Sequence, residues 1–176
     1  MTTKKNLREH LETDVAGFAG SSGKEYLEIY DRIDLEADAR TAWNAFKTFG
    51  AIDGWHPATL NCRLILGEEG VPGAVREFEI QGGGYVISEL LSYDEIRQHF
   101  RYRILKTNLP LHGYVGEMWV TAADPRRCTV HWKGSFRRPL GAGEDQDQPT
   151  RELVQQVFMS GFAGIQSRVA DPARSA

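Results

Sequence analysis

The middle of the chain is a series of strand-like runs with almost no room between them. In order, the six runs are NCRLIL, AVREFEI, YVISELLSY, HFRYRILK, YVGEMWVTA and CTVHWKGSF. Turn residues such as Gly, Pro and Asp separate them, and strands joined this closely pair as an antiparallel meander. A seventh strand precedes them from Tyr26, where one side carries alternating apolar residues: Leu27, Ile29, Ile33 and Leu35.

Helical spacing appears on both sides of this meander. It predicts one helix within Ala37–Phe49, a second short helix over Ile52–Trp55, and a long helix from Pro149 or Thr150 to about Val169. Only the last helix is long enough to cover the inner face of a strongly curved sheet. We therefore expect an α+β fold: a curved antiparallel seven-stranded sheet wrapped around a long C-terminal helix, with two short helices after strand 1 and a cavity in between.

Composition limits the partners. The chain has 176 residues, of which 41% are hydrophobic and 26% charged, and this suits one globular domain. A net charge of -3 supplies no basic field for nucleic acid or for an anionic membrane. No apolar run reaches the length of a membrane span, so we expect no membrane insertion. The expected partner is a small hydrophobic or aromatic molecule, and a homodimer is one alternative for the oligomeric state.

The two ends of the chain differ from its middle. Residues 1–24 read as an amphipathic extension, residues 25–170 as the ligand-binding domain and residues 171–176 as a flexible tail. The charged N-terminus lacks the apolar core of a secretory signal, so we expect a cytoplasmic protein. Cys62 and Cys128 lie far apart, which fits free thiols, and no His or Cys spacing suggests a metal. We expect neither a metal nor a cofactor.

One loop has an unusual composition. The stretch TNLPLHGYVGEMWV places Leu109, Pro110 and Leu111 at a bend between two strands. Bends usually take Gly, Asn, Asp or Ser, because these residues satisfy the turn locally or tolerate positive φ. Apolar residues on a loop indicate that the loop covers something.

The order of these motifs resembles a known superfamily. The anchors are GWHPATLNC, GVPGAVREF, SELLSYD, YRI followed by LPLHGY, TVHW and the closing helix. Together they resemble the START-related helix-grip (SRPBCC) superfamily, and within it the polyketide cyclase/dehydrase-like branch that includes the plant abscisic-acid receptors. The similarity runs from about Tyr26 to Val169. This fold hosts carriers, receptors and enzymes, so it leaves the function open.

The resemblance implies a role for the apolar loop. In relatives it lies at the cavity mouth, which here would place Leu109 and Pro110 against a ligand and point Tyr114 into the pocket. The chain departs from the receptors at QGGGYV, where their longer gating loop is missing. A hormone-type gate is therefore not expected.

Register decides which polar groups reach the cavity. A bend at Gly82-Gly83 suggests that Ile80 faces Tyr85, Phe78 faces Ile87 and Arg76 faces Glu89, and cross-strand partners share a side. We expect this pair, Arg76 and Glu89, inside the cavity as a catalytic pair, or alternatively as a structural ion pair at its edge. The expected lining is Phe78, Ile80, Ile87, Tyr102, Tyr114, Met118, Phe158 and Phe162. Trp55 and His56 are further expected ligand-binding residues; His56 lies near the expected mouth, although it also suits a solvated surface.

His131 has two readings. Straight alternation in CTVHWKGSF, judged by hydrophobicity, puts Trp132 inside and His131 outside, whereas matching to the family puts His131 on the pocket side. We follow the family match, which makes His131 a general acid or base because an unperturbed imidazole titrates near neutrality.

Three functions fit this pattern. The first, which the polar groups favour, is an enzyme that assists cyclisation, dehydration or isomerisation of a polyketide-like molecule by proton transfer. The second is a non-catalytic carrier or sensor of a small hydrophobic ligand or lipid. The third is an interaction protein that exposes Trp119, Trp132 and the N-terminal helix. A carrier needs an apolar cavity with one orienting group, whereas proton transfer needs several titratable groups that converge on one atom.

Overall fold

The computed structural model describes residues 26–138 and 141–171. The predicted N-terminal extension and tail residues 172–176 lie outside the described residues, and the domain limits stay predictions. No helix within the described ranges is long and apolar enough to cross a membrane.

Seven strands form one antiparallel sheet in the order β1-β7-β6-β5-β4-β3-β2. They are β1 (Tyr26–Leu35), β2 (Thr59–Leu66), β3 (Val75–Ile80), β4 (Gly84–Asp94), β5 (His99–Thr107), β6 (His112–Asp124) and β7 (Arg127–Arg137). From β2 to β7 each strand pairs with its neighbour in sequence, as short connections require. Strand β1 pairs along its whole length with β7, so β1 and β2 form opposite edges of the sheet.

Two short helices connect these edges. Helix α1 (Ala39–Phe46) begins where the Asp38 carboxylate accepts a hydrogen bond from the Thr41 amide at 2.9 Å. It buries Ala42, Trp43, Ala45 and Phe46. A 3-10 helix, Phe49–Gly54, follows. The Glu69 carboxylate accepts hydrogen bonds from its first two amides at 2.6 and 2.8 Å, which ties it to the turn between β2 and β3.

The long helix α2 (Asp147–Ala170) covers the inner face of the sheet. It begins two residues before the predicted start, and Pro149 lies in its first turn, where a missing amide hydrogen costs nothing. Its buried stripe is Thr150, Val154, Phe158, Gly161, Phe162 and Ile165. The ring of Phe158 stacks on Trp132 of β7, with centroids 4.4 Å apart. The predicted fold class is confirmed, with α1 and the 3-10 helix as the two short helices.

The C-terminal half of α2 touches backbone. At Gly164 an added Cβ would overlap the carbonyl oxygen of Trp55 and would lie 2.9 Å from Cδ of Pro57. The backbone of the 3-10 helix end cannot move aside as a flexible side chain would. Glycine at this position therefore sets how closely the helix approaches the segment that precedes β2.

We expect Gly164→Ala to destabilise the protein by about 1–3 kcal/mol, the usual cost of overpacking. An unobstructed glycine in a helix would behave in the opposite way, since alanine there gains about 0.4–1 kcal/mol. Urea unfolding measures the change, and the control is Gln166→Ala on the exposed side of the same helix. A stabilised Gly164→Ala protein would show that the close approach is not rigid.

Candidate functional site

An internal cavity of about 70 Å³ lies between the inner face of the sheet and the first half of α2. This is well below the ~300–1,000 Å³ of pockets that hold drug-sized ligands, so a ligand of that size requires the wall to move. The wall is formed by Ile52, His56, Ala58, Thr59, Arg76, Phe78, Ile80, Val86, Tyr102, Ile104, Leu109, Leu111, Tyr114, Trp132, Leu153, Val154 and Val157.

Arg76 is the charged member of this wall. Its side chain is 3% exposed, and the guanidinium lies 4.0 Å from the ring centroid of Phe49. Nε donates to Ser88 Oγ at 3.0 Å and Nη1 donates to the carbonyl oxygen of Phe49 at 2.7 Å. Within the described residues, Nη2 makes no hydrogen bond and no carboxylate forms an ion pair with Arg76. Burial lowers the pKa of Arg76 from its usual value, because charge is costly away from water.

Two phenols on the same inner face of the sheet also line this cavity, and the Arg76 guanidinium lies 5.4 Å from the ring centroid of Tyr102. The hydroxyls of Tyr102 and Tyr114 lie 3.5 Å apart, and Trp132 Nε1 donates to the Tyr102 oxygen at 3.1 Å. Burial raises the pKa of both tyrosines, so both stay protonated at neutral pH. Room for the rings comes from Gly116 and Gly134 on the neighbouring strands, where any Cβ would overlap them. These tyrosines can donate hydrogen bonds but cannot serve as bases.

His56 lines the cavity, but both of its ring nitrogens form hydrogen bonds with backbone groups. Its Nε2 donates to the carbonyl oxygen of Val157 at 3.0 Å, and its Nδ1 accepts from the Ala58 amide at 3.3 Å. The side chain is 2% exposed, and burial lowers the pKa of His56 below the ordinary 6.5. The imidazole is therefore neutral at pH 7 and joins α2 to the start of β2.

The predicted register of β3 and β4 is wrong by one residue. Arg76 pairs with Ser88, Phe78 with Val86 and Ile80 with Gly84, because the connecting loop has three residues instead of four. Since side chains alternate with a period of two, a slip of one residue moves every side chain of β4 to the other face.

Glu89 and Ile87 consequently lie on the outer face, and neither touches the cavity. Glu89 accepts a hydrogen bond from Nε of Arg103 at 2.7 Å there, while Ile87 packs against an outer cluster around Val75 and Leu105. The sequence-based expectation that Glu89 faces Arg76 inside the cavity is contradicted. Ser88 takes the place that had been assigned to Glu89.

The predicted inward facing of His131 is also wrong. Its ring stacks on Trp119 of the outer face, with centroids 4.7 Å apart. Nδ1 and Nε2 share hydrogen bonds with the hydroxyls of Tyr30 and Thr121, both at 2.7 Å. Trp132 instead points inward onto α2. The hydrophobic alternation of β7 therefore predicts the facing of His131 and Trp132 correctly, whereas the match to relatives predicts it wrongly.

The remaining predicted residues divide into three groups. Those in the cavity wall are Arg76, His56, Phe78, Ile80, Tyr102, Leu109 and Tyr114. Those buried in the core outside the wall are Trp55, Met118, Phe158 and Phe162. Pro110 is exposed. The sequence prediction missed Val86, which only the correct register reveals, and Trp132, which strand alternation alone would have placed correctly.

The family described as polyketide cyclase / dehydrase and lipid transport matches residues 27–170. The chain belongs to this family. The resemblance to the helix-grip superfamily is thereby confirmed. No curated protein matches the chain.

Solved structures share the fold of this chain at low sequence identity. The Zhui aromatase/cyclase from Streptomyces sp. R1128 has a TM-score of 0.69 and 16% identity, covering 82% of this chain and 94% of its own. The ginseng major latex-like protein 151 from Panax ginseng has a TM-score of 0.68 and 17% identity, covering 82% and 97%. An uncharacterised protein from Bacillus thuringiensis has a TM-score of 0.71 and 18% identity, covering 82% and 100%.

The lowered pKa values of the buried histidines predict how the free energy of unfolding depends on pH. Burial lowers the pKa of His56 and of His131, so below pH 6.5 the unfolded chain takes up protons before the folded protein does. The stability present above pH 6.5 should therefore decrease as the pH falls, until the folded protein is protonated as well. We expect His56→Gln, whose amide can still donate to Val157, to lose less stability than the parent between pH 7.5 and 5.5. Urea unfolding at both pH values measures this, and an equal loss in parent and variant would contradict the assignment.

Proposed function

We propose that this protein is a non-catalytic carrier or sensor of a small apolar or aromatic molecule, and that Arg76 holds one oxygen of that molecule. The observation that carries this proposal is the buried guanidinium of Arg76 in a mostly apolar wall: among the described residues nothing accepts a hydrogen bond from its Nη2 and no carboxylate forms an ion pair with it. A buried charge of this kind is costly unless something accepts its hydrogen bonds. A carbonyl, hydroxyl or carboxylate oxygen of a ligand would supply the acceptor.

The placement of the titratable groups supports binding over proton transfer. Glu89 and His131, the two expected bases, both lie on the outer face of the sheet. His56 has both ring nitrogens engaged by backbone, and the two cavity tyrosines remain protonated. The described part of the wall therefore offers donors that orient an oxygen but no free base.

The apolar loop between β5 and β6 fits the same function. Leu109 and Leu111 contribute to the cavity wall, while Pro110 between them is exposed. Since the cavity is small, we expect this loop to move outward when a ligand enters. Such loops commonly provide the mobile part of a binding site on a rigid scaffold.

Acceleration of cyclisation or dehydration is the second candidate. Arg76 could stabilise an enolate oxygen, and the phenol of Tyr102 or Tyr114 could donate a proton to it. This would need a substrate acidic enough to ionise without a protein base. The test substrate is a linear 1,3,5-triketone. Faster ring closure with the parent protein, but not with Arg76→Gln, would favour this candidate.

The binding proposal is tested with two ligands of equal shape, 2-acetylnaphthalene and 2-ethylnaphthalene. The parent should bind the ketone more tightly, because only the ketone gives Nη2 an acceptor. Arg76→Gln should reduce this preference about tenfold, the effect of one charge-assisted hydrogen bond. Calorimetry or tryptophan fluorescence measures both affinities, and their ratio cancels any general change in the stability of the variant.

Arg101→Gln is the matched control, since it removes an arginine from an exposed position of β5. It should leave both affinities unchanged. Equal affinity of the parent for the two ligands, or an unaltered ratio in Arg76→Gln, would rule out Arg76 as the orienting group. Failure of both ligands to bind would rule out the carrier or sensor function for this class of molecule.

A further inference from the structure

We infer, on the basis of the proposed function, that the ligand is a phenol or an enol and that the inner cavity binds it in its ionised form. The single oxyanion accepts hydrogen bonds from Nη2 of Arg76 and from one hydroxyl of the pair Tyr102 and Tyr114. This goes beyond the proposed function, which assigns neither the charge of the ligand nor a second donor to its oxygen.

Most polar side chains of the cavity wall already have partners. His56 forms hydrogen bonds with backbone through both ring nitrogens, and Thr59 Oγ1 donates to the carbonyl oxygen of His56 at 2.9 Å. The indole of Trp132 donates its one hydrogen to the Tyr102 oxygen. Among the described residues, the hydrogens that remain for a ligand therefore belong to Arg76 and to the two phenols of the wall.

The two phenols share one hydrogen bond but carry two hydroxyl hydrogens. The oxygens of Tyr102 and Tyr114 lie 3.5 Å apart, and either hydroxyl can be the donor. Whichever hydroxyl donates, the hydrogen of the other one has no acceptor among the described residues. Since both side chains line the cavity, this hydrogen can be directed at a ligand oxygen.

The guanidinium of Arg76 favours an anion that presents one oxygen. A carboxylate binds arginine best through two parallel hydrogen bonds from a pair of neighbouring nitrogens. Each such pair that contains Nη2 includes a nitrogen that already has an acceptor, because Nε donates to Ser88 and Nη1 donates to the Phe49 carbonyl. A phenolate or enolate oxygen needs only Nη2 from the guanidinium, and a hydroxyl of the phenol pair supplies its second donor.

The charge of the interior favours an anion over a neutral ligand. The groups that act electrostatically on Arg76 are the two phenols, the Cys62 thiol and the Glu69 carboxylate. Burial raises the pKa of the phenols and of Cys62, so they are uncharged at neutral pH, as is His56. Glu69 accepts from two amides of the 3-10 helix and forms no ion pair with Arg76 within the described residues. An anionic ligand therefore neutralises a buried charge. Because the described wall offers no free base, the ligand leaves its proton in the solvent.

The test measures the pKa of bound 4-nitrophenol by absorbance, because this probe is a single ring and its anion absorbs visible light. The parent should lower the pKa of the probe by about 1–3, the effect of an opposite charge at close range. The phenolate then binds about 10- to 1,000-fold more tightly than the phenol. An apolar cavity without these donors would raise the pKa instead, since burial disfavours the charged form.

Arg76→Gln should remove most of this pKa shift. Arg101→Gln, at an exposed position of β5, is the matched control and should retain it. The neutral ligand 4-nitroanisole keeps the nitro group but cannot ionise, so Arg76→Gln should weaken it much less than the about tenfold or greater loss expected for 4-nitrophenolate. Equal losses for the two ligands would show that Arg76 holds the nitro group and would overturn the inference.

The phenol pair gives a test that leaves Arg76 in place. Tyr102→Phe or Tyr114→Phe alone still leaves one hydroxyl hydrogen in the cavity, so each single variant should keep most of the pKa shift. The double variant Tyr102→Phe/Tyr114→Phe removes both hydroxyls, and the pKa of the bound probe should then rise above its value in either single variant. Urea unfolding checks that each variant is folded. A double variant that binds the probe with the parent's pKa would exclude the phenols as the second donor.

Three results separate this inference from the proposed function. An unshifted or raised pKa of bound 4-nitrophenol, or no binding of this probe when the naphthalene ketone binds, overturns the inference and leaves the proposed function standing. Tighter binding of 4-nitrobenzoate than of 4-nitrophenolate assigns the cavity to carboxylic acids and overturns the ligand class. If neither the nitro compounds nor either naphthalene ligand binds the parent, the proposed function fails and the inference fails with it.

Discussion

The stacking of Trp132 on Phe158 sets the distance between the long helix and the sheet, and the remaining interior depends on that distance. The contact is possible because Gly161, one turn away on the same helix, leaves room for the indole, where any Cβ would lie 2.5 Å from Cζ3 of Trp132. Toward its C-terminus α2 continues in close contact through Gly164. Toward its N-terminus, Leu153, Val154 and Val157 line the cavity. The cavity therefore lies beside the half of α2 in which no glycine brings the helix into such close contact.

The polar groups of the cavity are mainly hydrogen-bond donors. The guanidinium of Arg76 and the hydroxyls of Tyr102 and Tyr114 all present hydrogens, and the indole of Trp132 fixes the Tyr102 oxygen. Desolvation keeps the phenols protonated and the His56 imidazole neutral. Such an interior is suited to an oxygen that accepts hydrogen bonds, and it offers little to a reaction that begins with removal of a proton.

The sequence determined the architecture because the signals for it are local and repeated. Alternation identified all seven strands, and the apolar stripe of the last helix identified the element that covers the sheet. Alternation along β7 also places Trp132 on the correct face, since hydrophobic residues of a half-buried strand share a face. The facing of His131 was mispredicted because a match to distant relatives was given more weight than this alternation.

Positions within β4 could not be predicted in the same way. They depend on the length of one glycine-rich loop, where Gly82 and Gly83 both adopt positive φ. Glycine permits several loop lengths, so the sequence does not select between three residues and four. The size of the cavity is a further property that no local pattern contains, because it depends on how side chains from the sheet, α2 and the loops pack together.

The one-residue difference in the length of the loop between β3 and β4 changes the chemistry of the cavity. With a four-residue loop, Glu89 would face Arg76 inside the cavity as a carboxylate beside a guanidinium. With the observed loop, Glu89 pairs with Arg103 outside, and the neutral hydroxyl of Ser88 accepts from Arg76 instead. An inward glutamate would satisfy the guanidinium and provide a base, whereas the serine leaves Nη2 for another acceptor. The register of β3 and β4 therefore separates an interior built for proton transfer from one built to hold the oxygen of a ligand.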